Sequence, residues 1–576
     1  MLSGGGIMYL VDALGRSSIR YVCCHHEQAA AIAAQAYGMY DDSLGVCLVT
    51  TGPGGTNALT GTGAAYMDST PVLYLSGQVK RSDFASLRGV RQFGAQENDI
   101  VSMAKPVTKY AVTVMQPEDI PYELEKCVYE ATHGRKGPVW LDIPLDIQSA
   151  EIEPEKLRHF VPGAPEPGGK AAAGAETVLQ KLRQAKRPLI LAGHGVHAAG
   201  AEQTLRTLAE TAGIPVLATW RALDIMGADE PLFFGAPGLQ APRYSNLILQ
   251  HCDFLLVLGS RLDNMITAFS EEHFARMAEV AVTDIDENEM NKLKIPRLTK
   301  ISADAGALLD ELLARVRAAQ LPDYAGWVSR CSRIRERFPL LAEKQTVSEG
   351  VDLYRVTFAV SARAQADDTV VISSTSRCNT AGHIAFARRR GQKSISSMGY
   401  GSMGFALPSA VGASCAAGGK RVIMFEGDGS LQLNLQELET VAANGMDVRM
   451  FIFNNTGYAA ITTMQERNFG GFYVGSNEQS GLFMPDLEKL AAAYGIPYRC
   501  IGQNADIEAV VRWAMDEVSG PCIADIRGSL AFDEIPKCIS RIDETTGQRV
   551  SAFLENPFPF LGDSEMQEIE AYLTGE

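Results

Sequence analysis

Residues 422–430 read VIMFEGDGS, and residues 448–455 read VRMFIFNN. Each begins as a β-branched and aromatic run of the kind that fills a buried strand, and each breaks at its far end into small or polar residues. Twenty-four residues, 430 to 453, separate Gly429 from Asn454, with a helix-like stretch before the second run. Two neighbouring parallel strands joined this way end at the same edge of a sheet, the edge where α/β proteins bind ligands. There Asp428 and Asn455 converge as hard oxygen ligands for Mg2+, an ion that keeps few protein ligands and bridges phosphates. Gly427 and Gly429 let the backbone approach a diphosphate, and Ser430 opens a helix whose N–H groups face it. A GDG turn alone is an ordinary β-turn; its pairing with NN at the next strand end makes the signal specific.

Outward from this pair, short β-branched runs alternate with longer Ala- and Leu-rich stretches along the chain. The pattern predicts strands at 46–51, 71–76, 139–143, 189–192, 254–258, 282–285, 370–373, 422–425, 450–453 and 522–526, and helices at 28–40 and 204–212. Repeated strand–helix alternation predicts parallel sheets covered on both faces. Residues 153–176 are rich in Pro, Gly and Ala, as a linker is, and a weaker break falls between about 321 and 351. The expected fold is α/β, with three doubly wound parallel-sheet domains at 1–152, 177–325 and 345–545, a linker at 153–176 and a C-terminal tail at 546–576.

The 576 residues carry 52 basic and 68 acidic side chains, a net charge of −16, with 46% hydrophobic and 21% charged residues. That is the composition of a packed globular protein rather than a disordered one. The negative balance argues against a nucleic-acid backbone as partner. No apolar run is long enough for a membrane helix, and the first residues, MLSGGGIMYL, lack the pattern of a signal peptide. The 11 cysteines are scattered without CxxC spacing, which reads as buried small hydrophobes in a reducing, cytoplasmic compartment.

GDGS…NN is similar to the signature of thiamine diphosphate-dependent enzymes. More narrowly, nearly the whole chain resembles the acetohydroxyacid (acetolactate) synthase and pyruvate oxidase group. The resemblance implies a pyrimidine-binding, a central and a diphosphate-binding domain. It places Mg2+ on Asp428, Asn455 and the carbonyl of Gly457. In HHEQAAAIAAQAYG (25–38), it makes Glu27 the buried acid against N1′ of the aminopyrimidine, through which the cofactor's C2 proton is removed. Small apolar residues after Glu27 allow close packing and exclude water, and burial favours a carboxyl that exchanges its proton near neutral pH. In MGYGSMGFALP (398–408), the resemblance has Met403 wedge between the cofactor rings and the Gly401 carbonyl accept from the 4′-amino group. Within the family, Glu27 and Asp428 come from different subunits, which implies a homodimer or homotetramer.

The substrate side is read from loops. Gly52–Gly55 forms a tight loop between strand and helix. In RGVRQFGAQE (88–97), Gln96 is an amide donor able to orient a donor carboxylate or a developing oxyanion. The histidine pair that pyruvate decarboxylases use in this loop is absent, which disfavours simple decarboxylation to an aldehyde. The central block resembles the stretches that hold FAD in acetohydroxyacid synthases, with Arg261 toward its diphosphate and Asp284, or Asp286, toward other polar groups. Two positions depart from those enzymes: Met265 stands where an arginine grips the acceptor carboxylate, and Met464 where a tryptophan shapes the acceptor pocket. Loss of such a charged partner costs carboxylate affinity. The family pattern also has a helix and strand before the turn at Ser3–Gly6, so the first sheet is expected to lack a strand. The implied activity is a carboligase that decarboxylates a 2-keto acid, pyruvate foremost, and transfers the acetyl-equivalent unit to a ketone, aldehyde or keto-sugar. The alternatives are a true acetolactate synthase, an FAD-dependent pyruvate oxidase, and a catalytically silent protein on this fold.

Overall fold

The computed structural model describes residues 1–163, 169–342, 350–530, 534–542, 547, 549–551 and 553–575. In the first domain, strands β1 (Gly45–Val49), β2 (Val72–Gln78), β3 (Tyr110–Thr113) and β4 (Val139–Pro144) form a parallel sheet in the order β1-β2-β4-β3. Its helices include α1 (Glu27–Tyr40) and α2 (Pro53–Met67). Met1 and Leu2 lie between two extended segments: Leu2 N–H donates to the Leu48 carbonyl, and Cys24 N–H donates to that of Met1.

Helix α3 (Gly169–Gln184) begins inside the stretch read as linker, because its alanines pack into the central core. Residues 164–168 of that stretch lie outside the described residues. The central sheet holds β5 (Pro188–Ala192), β6 (Val216–Ala218), β7 (Phe254–Leu258), β8 (Glu279–Asp284) and β9 (Leu298–Ser302), all parallel, in the order β6-β5-β7-β8-β9. Of the second predicted break, 325–337 is helix and 343–349 lies outside the described residues.

The third sheet contains β10 (Thr369–Ile372), β11 (Lys393–Ile395), β12 (Val422–Gly427), β13 (Val448–Asn454), β14 (Tyr498–Ile501) and β15 (Cys522–Arg527). Its parallel order is β11-β10-β12-β13-β15-β14. All seven residues of β13 are buried, as expected of a strand covered on both faces. Helices α4 (Ser376–Ile384), α5 (Ala406–Ala416), α6 (Glu437–Ala443) and α7 (Ala459–Phe469) surround the sheet. The chain then returns to the central domain through an antiparallel hairpin (540–542 with 549–551) and α8 (Asp563–Thr574). Ile569 and Leu573 of α8 enter the central core, and the buried Arg243 donates to the carbonyls of Pro557 and Pro559 at 3.0 and 2.6 Å.

The alanines of α1 explain how the first and third domains meet. A Cβ on Gly61 of α2 would stand 2.5 Å from the Cβ of Ala31, and one on Gly412 of α5 would stand 2.0 Å from the carbonyl oxygen of Ala33. Helix α1 is therefore wedged between a helix of each domain at a distance only small residues permit. Among the described residues no helix is long and apolar enough to cross a membrane.

Candidate active site

In the third domain β12 and β13 are neighbours, with Gly427 level with Phe453. Asp428 and Asn455 therefore follow adjacent strand ends. Asp428 is buried; its Oδ1 accepts from Gly429 N–H at 2.9 Å, while its Oδ2 has no hydrogen-bond partner. The buried Oδ1 of Asn455 is also without a partner. Burial pushes the Asp428 carboxyl up to about 6, against the pull of backbone N–H groups from Gly429, Thr456, Gly457 and Asn455. Orphaned buried oxygens are costly and rare. Two hard oxygens of this kind at adjacent strand ends fit the donor set of Mg2+. Thr456 between them adopts φ +56°, and a Cβ on Gly457 would meet the Ser476 carbonyl oxygen at 2.6 Å.

The segment before α5 is locked onto this loop. Gly404, at φ +75°, donates to Ser430 Oγ at 2.8 Å, and its carbonyl accepts from Asn434 Nδ2 at 2.7 Å. Glu426 is fully buried at the end of β12; its carboxylate accepts from Ala406 N–H at 3.0 Å and Gly427 N–H at 3.1 Å. Burial raises its pKa. Gly401 takes φ +68°, a left-handed conformation, and Met403 is half-buried beside it. The segment is also tied to the first domain: Asp68 accepts from Ser397 Oγ and from Gly399 N–H.

Glu27 opens α1 and is 7% exposed. Its Oε2 accepts from Asn57 Nδ2 at 3.0 Å, and its Oε1 faces Gly54 in the first turn of α2. Neither contact involves Asp428 or Asn455. Gln96 is exposed and adopts φ +65°. Its carbonyl oxygen lies 2.4 Å from where Gly52, at φ +70°, would carry a Cβ, so the Gln96 loop rests on the Gly52 turn. Glu97 holds that loop by accepting from the N–H groups of Ala85, Phe93 and Gly94.

A second groove lies in the central domain. The order β6-β5-β7 places a switch point between β5 and β7, where doubly wound sheets bind ligands. Gly193, Gly195 and Gly259 bring the two strand ends together; a Cβ on Gly193 would stand 2.3 Å from the Gly259 carbonyl oxygen. Arg261, Met265 and Asp284 line the groove with His194, Trp220 and Gly399. The hydroxyl of the buried Thr283 has no partner. Burial raises the Asp284 pKa, and its Oδ1 accepts from Asp286 N–H. Asp286 itself pairs with Arg135 of the first domain at 3.1 Å, so of these two acids it is Asp284 that lines the groove.

The structure thus gathers Gly427, Asp428, Gly429, Ser430, Asn455 and Gly457 at one sheet edge with Gly401 and Met403 nearby. It sets Arg261 and Asp284 in the central groove, while Glu27 and Gln96 lie in the first domain beside Asn57 and the Gly52 turn. Sequence reasoning missed Ser373, Ser374, Asn379 and Ser402, each of which has a buried side-chain oxygen without a partner. Ser373 and Ser374 stand at the β10 end of the switch point with β11 and β12, and the polar triplet at 373–375 ending a β-branched run was the available signal.

Three family models match in order. Residues 1–103 match the N-terminal TPP binding domain of thiamine pyrophosphate enzymes. Residues 175–312 match their central domain, and residues 375–526 their C-terminal TPP binding domain. The acetolactate synthase isozyme 1 large subunit of Escherichia coli (strain K12) is 32% identical over 531 residues, covering 91% of this chain and 90% of its own. The acetolactate synthase large subunits of Pyropia yezoensis and Corynebacterium glutamicum are 30% and 31% identical, each across 91% of this chain and across 88% and 83% of their own lengths.

Proposed function

Because the chain belongs to the thiamine pyrophosphate enzymes, as a relative of the acetolactate synthase large subunits, we propose that it is a carboligase that decarboxylates a 2-keto acid, pyruvate foremost, and passes the two-carbon unit to a carbonyl acceptor. The observation that carries the reading is the pair of unpartnered buried oxygens, Asp428 Oδ2 and Asn455 Oδ1, at adjacent strand ends. They would hold Mg2+ with the Gly457 carbonyl, while Ser430 and the helix start at Asp428–Gly429 face a diphosphate. When bound, thiamine diphosphate supplies an acidic C2 position and a cationic ring that takes up the electron pair released by decarboxylation. Gly401 offers its carbonyl to the cofactor's amino group, and Met403 supplies an apolar wedge. Glu27 exchanges a proton with the pyrimidine nitrogen at Oε1, since Asn57 occupies Oε2. Gln96 donates its amide to the donor carboxylate or developing oxyanion.

The central groove, with its close glycine loops, Arg261, Asp284 and the unpartnered Thr283 hydroxyl, suits FAD. Arg261 would face its diphosphate. Phe469, Phe472, Val474 and Phe483 are large, exposed and apolar, with Phe472 75% exposed; such a patch marks an interface, here a homodimer or a pair of dimers.

On the acceptor side, Met265 is half-buried in the central groove and Met464 is exposed on α7. Neither offers charge to a carboxylate, which favours a ketone, aldehyde or keto-sugar acceptor. The relatives favour a second reading, a true acetolactate synthase whose acceptor site uses other residues. Mass-spectrometric product analysis with pyruvate and a panel of ketones, aldehydes and 2-keto acids separates the two. Ligation to a neutral carbonyl supports the first reading, and efficient acetolactate formation from pyruvate alone supports the second. Absence of both, in protein that binds thiamine diphosphate, refutes the carboligase.

A further inference from the structure

Glu437 belongs to α6, which follows the Asp428–Ser430 loop along the chain, and its side chain is completely buried. It reaches into the first domain. One carboxylate oxygen, Oε1, accepts from the backbone N–H of His25 at 2.9 Å and from that of His26 at 3.1 Å. Its Oε2 accepts from Thr440 Oγ1 at 2.5 Å, which fixes the carboxylate plane. The two amides it holds immediately precede Glu27. His26 is the N-cap of α1, and its ring Nδ1 accepts from Gln28 N–H at 3.0 Å. The direction in which the chain enters α1, and with it the Glu27 Cα–Cβ vector, is therefore set at one end by the His26 ring and at the other by a carboxylate of a different domain.

Each feature of this contact has a physical reason. Charge-assisted hydrogen bonds to backbone N–H are about twice as strong as neutral ones. A buried carboxylate left without them would be costly, so Glu437 and the 25–26 backbone hold each other in place. Helices α1 and α5 pack through Gly412 at backbone distance, so α1 has little freedom to slide along its axis. What remains adjustable is the rotation of its first turn, and that turn is what Glu437 grips.

We propose that Glu437 is a positioning residue for Glu27: it fixes the proton-exchanging carboxyl without touching the cofactor. This rests on the reading of Glu27 given above. The consequence is a division of effects. Removal of the Glu437 acceptor loosens the first turn of α1 and slows proton exchange at the cofactor, while Asp428 and Asn455, the residues that would hold the metal and diphosphate, are left as they are.

The test uses full-length protein with thiamine diphosphate and Mg2+. Four quantities are read: C2 hydrogen–deuterium exchange of the bound cofactor by acid quench and proton NMR, cofactor affinity by calorimetry, thermal midpoint, and amide exchange of the peptide over residues 22–30 in the cofactor-free protein. Glu437→Leu is expected to slow C2 exchange at least tenfold, to speed amide exchange at residues 25 and 26, and to leave cofactor affinity within about threefold. Glu437→Gln keeps an oxygen that accepts both amides, and is expected to restore C2 exchange to within about threefold of wild type. Should Glu437→Leu not fold, Glu437→Asp replaces it; its carboxylate is one methylene short, and the same slowing is expected. Unchanged C2 exchange in a folded Leu or Asp variant overturns the proposal. So does a Gln variant as slow as Leu, which would make charge rather than amide acceptance the cause. Glu27→Gln distinguishes the two levels: unchanged exchange there refutes the Glu27 reading itself, whereas loss there with no effect at Glu437 refutes only the positioning role.

Discussion

His197 is nearly buried between two carboxylates, with Nδ1 2.7 Å from Glu202 Oε1 and Nε2 2.8 Å from Asp224 Oδ1. The second oxygen of Asp224 accepts from Ser394 N–H, so the pair joins the central domain to the third. Burial alone would lower the imidazole pKa; the charges of Asp224 and Glu202 overcome it and raise the value to about 10. Asp224 is correspondingly held at about 2 despite its own burial. A histidine raised from its usual 6.5 stabilises the fold fully below that pH, and the contribution is lost as pH climbs through about 10. His197→Ala is expected to cost about 3 kcal/mol at neutral pH, because it leaves a buried charge unpaired. It is also expected to flatten the alkaline fall of the thermal midpoint; midpoint-against-pH curves that stay parallel for variant and wild type would contradict this. At Asp428, replacement by Ala removes one of the two candidate metal oxygens. Calorimetric titration of thiamine diphosphate with Mg2+ is expected to show at least tenfold weaker binding, and equal affinity would exclude the residue from the metal site. Asp428 and Asn455 were legible in the sequence because each ends a strong strand pattern. Glu437 was not: its role is defined by a contact 411 and 412 residues away along the chain, and no local pattern encodes that.

At the scale of elements, each of the ten predicted strands overlaps a strand of the structure. The five strands of the three sheets that were missed, β3, β6, β9, β11 and β14, are all edge strands. β9, β11 and β14 carry polar residues such as Lys300, Lys393 and Arg499 instead of an uninterrupted apolar run, as partly solvated edges do, whereas the apolar, buried β6 has only three residues. Of the six edges only β1 was found, through the apolar run at 46–49. The helices differ in another way. The alanine content of α1 predicted close packing but not its partners, α2 of the first domain and α5 of the third. Gly412→Ala tests the contact with α5 with an informative sign. In an ordinary helix the change stabilises by about 1 kcal/mol. Here the added methyl would stand 2.0 Å from a carbonyl oxygen of α1, so destabilisation of about 1–3 kcal/mol is expected in chemical unfolding. A more stable variant would show that the two helices are not so closely apposed.

At the scale of the molecule, the three-domain order was legible from two composition breaks and the strand alternation, and all three family models fall in that order. The tail was less legible. Its helix α8 folds back on the central domain through two buried side chains, Ile569 and Leu573, too few to stand out in a short polar stretch. The spatial relation of Glu27 to Asp428 was open to resemblance alone. Within one chain the described hydrogen bonds of Glu27 and Asp428 do not join the two, and the exposed Phe469, Phe472 and Phe483 are the surface on which the proposed second copy would sit. Sedimentation at assay concentrations is expected to give a dimer or tetramer, and a fully active monomer would contradict the shared site. The most direct measurement is complementation between two inactive chains, Glu27→Gln and Asp428→Ala, co-expressed with different tags. If each site takes Glu27 from one protomer and Asp428 from its partner, mixed dimers hold one intact site of two, and random pairing returns roughly a quarter of wild-type turnover. Mixed dimers that form, as double-tag purification shows, yet remain as inactive as either parent would contradict a cofactor held between the two chains.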